Sequence, residues 1–282
     1  MCIYTNIFFF AVKVEMFSYT LRRLAVSKAA IESYMDYLRN ADRDLPALSE
    51  ILPRHQANSK DLLQFHSLLC EVMQENGFNF MGIKVIPPSS AALQCLRWTD
   101  AVCVPVFSIA FQQLDLSVKQ HRIQFIEPLF VLRLGRDAPS QLTLSAAATV
   151  CDVFRPGIEL TGSRFPFYPP HATGFAADLG GCIGVRLGEE TELVKTSLDT
   201  LGNHSFVMTR KNEPLQVGSG KNCLGGPSAA VASALAYAVS IGRPLRTGNY
   251  VFCTGVGTRS PAIPGDYQVN YGVYGTVSCS LS

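Results

Sequence analysis

Residues 59–76, SKDLLQFHSLLCEVMQEN, repeat apolar side chains every three to four positions. Leu62, Leu63, Phe65, Leu68, Leu69, Val72 and Met73 fall on one wide stripe, the spacing that lines one face of a helix. Ser59 suits the N-cap and Gly77 the exit. Residues 29–46 carry a weaker helical pattern through Ile31, Tyr34, Met35 and Leu38, stopped by Pro46. After Gly77 the chain changes character. FNFMGIKVI, AVCVPVFSIAF, IQFIEPLFVLRLG, CIGVRLG, HSFVMTR, YVFCTGV and YQVNYGVYGTVSCSL are short, apolar segments separated by Gly and Pro, the signature of strands. One further helix is expected from Pro227 to about Ile241, with Pro227 in its first turn and Gly242 at its end. Helices come first, then many strands with one late helix, without regular alternation. That order argues against a doubly wound α/β fold and predicts a β-rich, mixed α+β domain. No repeat, low-complexity stretch or linker divides it, so residues 29–282 are expected to form a single domain.

Composition narrows the function classes. The chain has 282 residues, 48% hydrophobic and 16% charged, which gives it a sizeable core and excludes disorder as its main state. A net charge of +2, with Lys and Arg scattered, gives no reason to expect nucleic acid or anionic lipid as partner. No run of 18 apolar residues is present, so no membrane-spanning helix is expected. The nine cysteines form no CxxC and no zinc-ligand spacing with His; they read as reduced core thiols. Residues 1–28 are a basic N-terminal extension. From Met16, MFSYTLRRLAVSKAA has Arg, Lys and hydroxylated residues and no acid until Glu32. This composition fits a mitochondrial transit peptide beginning at Met16 as well as it fits a basic tail. The expected compartment is mitochondrial or cytoplasmic accordingly.

Several familiar sites are absent. VGSGKNCLGGP is glycine-rich but lacks both the GxxxxGK[ST] and the GxGxxG spacing, and neither GxSxG nor HExxH occurs. Five His are scattered without paired spacing, and His66 on the helix stripe reads as a satisfied core or edge residue. What remains is a set of charges inside apolar β segments: Lys84 in MGIKVI, Glu127 in FIEPLFVL, Glu159 in RPGIEL and Asp178 in FAADLGG. A buried, unpaired carboxylate is costly and needs a cation, a donor or a metal. Periodicity alone favours separate surface charges. The alternative is one oxygen-ligand site suited to a hard divalent ion.

The C-terminal third bears on that choice. Leu224, Gly225 and Pro227, the helix after them, Gly242, Leu245 and Gly248, Thr254 and Gly255, and Pro264, Gly265 and Asp266 form an ordered set of motifs. Upstream, GIKV (82–85), IEPLFVL (126–132), PGIELTGSRF (156–165) and the stretch from Asp178 to Gly188 extend it. Together these resemble the fumarylacetoacetate hydrolase-like superfamily in its 2-oxo-4-pentenoate hydratase branch, which includes 2-oxohept-3-enedioate hydratase and 4-oxalocrotonate decarboxylase. The resemblance covers roughly residues 45–282. It implies a mixed β-roll or barrel with helices around it, behind an N-terminal helical segment, in a homodimer or larger homo-oligomer. It also implies a divalent metal, Mg²⁺ or Mn²⁺, held by three carboxylates, here Glu127 and Glu159. Lys84 would lie near the substrate carboxylate and Asp178 in the catalytic segment. The implied reaction is hydration of a 2-hydroxy-2,4-dienoate to a 4-hydroxy-2-oxo acid, with the metal acting as Lewis acid. Small-molecule 2-oxo or 2-hydroxydienoic acids are the implied ligands.

The sequence departs from this pattern at informative places. The family's metal strand has two Glu two residues apart; here the first position is Phe125. Asn249 stands in place of the usual Asp. An acidic position before PVF (105–107) aligns with Val102, and Asp100 lies two residues earlier. Leu179 and Gly181 stand where Asn and Ser are usual. Two readings follow: a divergent metal-assisted lyase, hydratase or decarboxylase, or a catalytically impaired member that keeps the fold for ligand binding or assembly. Arg155 and Arg164 read as solvated surface charges.

Overall fold

The computed structural model describes residues 31–32, 59–111, 116–139, 143–165, 169, 171–193 and 198–282. The N-terminal extension and most of the helix expected at 29–46 lie outside these, although Ile31 and Glu32 are helical.

Helix α1 (Ser59–Glu75) ends one residue before the predicted boundary, and Gly77 takes the left-handed conformation (φ 82°) that lets the chain turn away. The strands are β1 (Phe80–Ile86), β2 (Val102–Phe107), β3 (Ile123–Leu134), β4 (Cys151–Gly162), β5 (Cys182–Leu187), β6 (Thr191–Glu192), β7 (Ser205–Arg210), β8 (Glu213–Ser219), β9 (Tyr250–Cys253), β10 (Ser260–Pro261), β11 (Gly265–Asn270) and β12 (Thr276–Leu281). Between them lie helix α2 (Ala172–Ala177) and helix α3 (Pro227–Ser240), with single helical turns elsewhere. Two sheets result. The larger runs β2-β1-β9-β3-β4-β5, with β10 added beside β3 and β6 beside β4; the smaller runs β12-β11-β7-β8. Pairing is antiparallel except between β1 and β9. The sheets curl into a half-barrel with few helices, the mixed α+β architecture expected from the strand-rich pattern.

One face of the large sheet, with Ile83, Val85, Phe130, Leu132 and Ile158, joins the main core against α1, α3 and the small sheet. α3 suits this close packing because its buried residues are mostly small: Ala230, Ala234 and Ala238 beside Val231 and Leu235. Phe130, Phe154, Phe206 and Tyr271 interlock where the sheets meet, with the Phe130 and Phe154 rings edge-on at 5.2 Å. Such aromatic pairs add about 0.5–1.5 kcal/mol beyond burial. The Tyr271 hydroxyl sits at the carbonyls of Leu129 (2.8 Å) and Gly157 (3.0 Å), tying the small sheet to β3 and β4.

β4 is longer than the apolar segment that announced it. Where the sequence singles out only RPGIEL, the strand begins at Cys151 and runs through Pro156 and Gly157. The Pro156 carbonyl accepts the Gly188 N–H (2.8 Å), and a Cβ at Gly157 would lie 2.9 Å from the Leu129 Cβ. Glycine is needed there for close approach rather than for a turn.

Candidate functional site

The opposite face of the large sheet carries the chemistry. Side chains alternate along a strand, so Phe125, Glu127, Leu129 and Val131 of β3 share one face with Thr161 and Glu159 of β4. The register sets Glu127 directly opposite Glu159 and Phe125 opposite Thr161. Lys84 reaches this face from β1, where it pairs with Phe252 of β9, itself paired with Val131. Leu129, Val131, Val185 and Phe252 make the floor apolar. α2 and the turn after it close one end, packing Phe175 and Ala176 with Ile86 and Val104.

Two carboxylates facing each other across a strand pair repel unless each is compensated. Here each is. Lys84 Nζ donates to Glu159 Oε1 at 2.6 Å, with both side chains almost wholly enclosed (2% and 1% exposed). Arg259 Nε donates to Glu127 Oε1 at 2.9 Å. Asp178 has its own base: Arg164 Nη1 donates to Oδ1 at 2.9 Å and the Arg164 backbone N–H to Oδ2 at 3.1 Å. Glu127, Glu159 and Asp178 are the buried carboxylates among the described residues, and all three are paired with bases of the same chain.

Burial raises the Glu159 carboxyl above its ordinary range, with Lys84 opposing it and Glu127 reinforcing it. Burial likewise raises Asp178, opposed chiefly by Arg164. Burial raises the Cys182 thiol, and the Glu159 charge beside it adds to the shift.

Lys84 depends on an unusual turn. Leu179, Gly180 and Gly181 all have left-handed backbones, with φ of 52°, 63° and 71°. The turn brings the Gly180 carbonyl to 3.2 Å from Lys84 Nζ, and a Cβ at Gly180 would lie 2.9 Å from that same nitrogen. Leu179 occupies the position where the resemblance expects Asn, a residue that tolerates left-handed backbone better than leucine does.

The positions read from sequence thus separate. Lys84, Glu127 and Glu159 converge. Asp178 lies beside Arg164 at the end of α2, with the Lys84 charge a minor influence on it. Asp100 is exposed and Val102 is a buried residue of β2. Arg164 is not the solvated charge expected: its side chain is 15% exposed, held by Asp178 and by the Cys182 carbonyl. Arg155 donates to the Gly188 carbonyl (3.0 Å) at the rim. His66 is satisfied as expected: Nε2 lies 2.9 Å from the Ala176 carbonyl, and Nδ1 meets the Tyr237 hydroxyl. The eight described cysteines are all free thiols, six of them buried. Arg259 is a residue of this site that the sequence reading did not single out. TGVGTRSP reads as a loop, and only the pairing of β10 with β3 brings it to the site.

The donor set bears directly on the expected Mg²⁺ or Mn²⁺. Hard cations take several oxygen ligands with room around them. Glu159 Oε2 and Thr161 Oγ1 are buried without a hydrogen-bond partner, which would favour an ion. Against this, two carboxylates stand where the resemblance implies three, each already accepts from a base, and Phe125 contributes no oxygen. No group of three or more His, Cys, Asp or Glu side chains able to hold a metal exists among the described residues. The arrangement as it stands does not fit a divalent cation.

Comparisons with known proteins speak for the metal instead, because structural neighbours were solved with calcium or magnesium. The fold matches 4-oxalocrotonate decarboxylase from Pseudomonas putida G7, solved with magnesium and adipate, at a TM-score of 0.76 and 17% identity over 91% of this chain and 97% of that one. The chain is 30% identical to the TodF product hydratase of Pseudomonas putida over 159 residues, 56% of this chain and 59% of the hydratase. The fold is that of fumarylacetoacetate hydrolase-like proteins, and the distant sequence relatives include 2-keto-4-pentenoate hydratases. It is also 62% identical over 267 residues to REH2-associated factor 2 of Trypanosoma brucei brucei, covering 95% of this chain and all of that protein. No protein-family model matches the chain. The superfamily relatives found at a distance are enzymes, whereas the relative matched along its whole length is named for an association.

Proposed function

We propose that this chain is a superfamily member whose divalent-ion site has given way to internal ion pairs, and that it acts as an association factor rather than as a metal-dependent lyase. The observation that carries the reading is the Arg259–Glu127 pair, 2.9 Å long and enclosed, beside Phe125, the position at which the resemblance implies a further carboxylate. A cation entering there would have to expel a guanidinium from a buried carboxylate and then sit among bases. Breaking a buried pair costs about 3–5 kcal/mol. The printed name of REH2-associated factor 2, similar along its whole length, supports a protein partner. On this reading the chain forms a homodimer or larger homo-oligomer, in the mitochondrion or the cytoplasm.

A second reading is favoured by the convergence of Lys84, Glu127 and Glu159 together with the hydratase likeness. It makes the chain a divergent lyase, hydrating a 2-hydroxy-2,4-dienoate or decarboxylating a 2-oxo acid. The two readings part in one set of measurements. Purified protein is expected to show no Mg²⁺- or Mn²⁺-dependent thermal shift and no turnover of 2-hydroxypentadienoate, and the tagged chain to co-purify with the counterpart of REH2. Metal-dependent turnover would establish the lyase instead.

A further inference from the structure

We infer that Arg259 is the built-in cation of this site and that Phe125 is the other half of the same exchange: a ring replaces a carboxylate and a guanidinium replaces an ion. The inference rests on the association reading and specifies how the site was closed.

Three observations carry it. The first is register. β10 pairs with β3 through Ser260 opposite Ile126 and Pro261 opposite Phe125. One further antiparallel step sets Arg259 against Glu127, so backbone pairing places the base. The second is enclosure. The Arg259 side chain is 9% exposed and that of Glu127 4%, so the charge is delivered into the sheet face rather than into solvent. The third is the aromatic contact. The guanidinium lies over the Phe125 ring at 5.5 Å and over the Phe175 ring at 5.7 Å. Guanidinium groups are attracted to aromatic faces, more so when desolvated. Phe125 therefore does more than lose a ligand; it helps hold the cation that makes the ligand unnecessary.

Charge balance makes the exchange testable. Glu127, Glu159 and Asp178 are matched one for one by Arg259, Lys84 and Arg164. A divalent ion added to that set is in excess. With F125E and R259Q together, four carboxylates face two bases, a deficit that one divalent ion cancels.

The test uses the full chain as wild type, F125E, R259Q and F125E/R259Q, followed by Mn²⁺ titration with electron paramagnetic resonance and by melting temperature. Wild type is expected to be silent. F125E is expected to stay silent, because Arg259 takes up the added carboxylate. R259Q is expected to melt lower and to recover part of the loss with Mn²⁺ but not with NaCl at equal ionic strength. The double variant is expected to bind one Mn²⁺ per chain and to melt several degrees higher when loaded. If the double variant folds and binds no Mn²⁺, or if neither R259Q nor the double variant folds with or without Mn²⁺, the inference is wrong while the association reading stands. If wild type binds Mn²⁺ as tightly as the double variant, Arg259 does not occupy the ion's place and the association reading fails too.

Discussion

Lys84 and Glu159 form the most enclosed ion pair of the site, and their energetics are asymmetric. Two charges taken from water recover little net stability from each other, but one charge left without the other is costly. Lys84→Met strands Glu159 in an apolar setting already crowded by Glu127 and is expected to cost about 3–5 kcal/mol. Lys84→Met combined with Glu159→Gln is expected to cost clearly less than the sum of the single changes. Urea denaturation of the four proteins measures the coupling; simple additivity would mean that the pair contributes nothing as a pair. The same asymmetry explains what could be read at this scale from sequence. An acid in FIEPLFVL is conspicuous because burial makes it costly, so Glu127 announces a partner. Arg259 does not announce itself, since an arginine in a glycine-rich loop has an ordinary explanation in solvent. Its role depends on contact with a residue 132 positions away. Arg164 was hidden in the same way, its partner Asp178 being brought to it by α2.

At the scale of elements, α1 and α3 were legible because each presents a sustained apolar pattern between clear end signals, and most strands were legible as apolar runs between Gly and Pro. α2 and β8 were not. α2 is six residues long, and β8 is mostly exposed and begins Glu213-Pro214, so neither carries enough pattern to separate it from loop. α2 nevertheless joins α1 and α3 through His66, whose imidazole bridges the Ala176 carbonyl and the Tyr237 hydroxyl. Burial lowers the imidazole from 6.5 to about 4, partly offset by the Ala176 carbonyl. In the unfolded chain His66 takes its proton near pH 6.5, in the folded chain only near pH 4, so acid favours unfolding between the two. This contribution is fully present above pH 6.5 and declines as pH falls, by up to about 3 kcal/mol at pH 4. The raised carboxyls of Glu159 and Asp178 slope the other way, because their folded forms hold protons more tightly. The difference between wild type and His66→Gln therefore isolates the histidine. The variant is expected to be less stable at pH 7 and to lose that disadvantage steadily towards pH 4. A constant difference across the range would show that His66 titrates alike in the folded and unfolded chains.

For the molecule as a whole, the α+β class was legible because strands outnumber helices without alternating with them. How the two sheets meet was not, since that contact is made by Phe130, Phe154, Phe206 and Tyr271, which lie far apart in sequence. Domain extent is a matter of where the core begins. Ile31 is fully buried and belongs to the same core as Phe65, Leu69 and the strands of both sheets. We propose a domain that starts near residue 29 and leaves residues 1–28 outside the cooperative unit. Ile31→Ala removes buried methyl groups from a core with no solvent to fill the gap and is expected to cost about 2–5 kcal/mol. Deleting residues 1–28 removes none of the described core and is expected to leave the melting temperature and the single transition unchanged. Calorimetry on the two variants decides between placements of the boundary. If the deletion lowers the melting temperature as much as Ile31→Ala does, the extension contributes to the fold and the domain begins earlier than residue 29. If both are harmless, the core closes without its first helix and the boundary lies closer to α1.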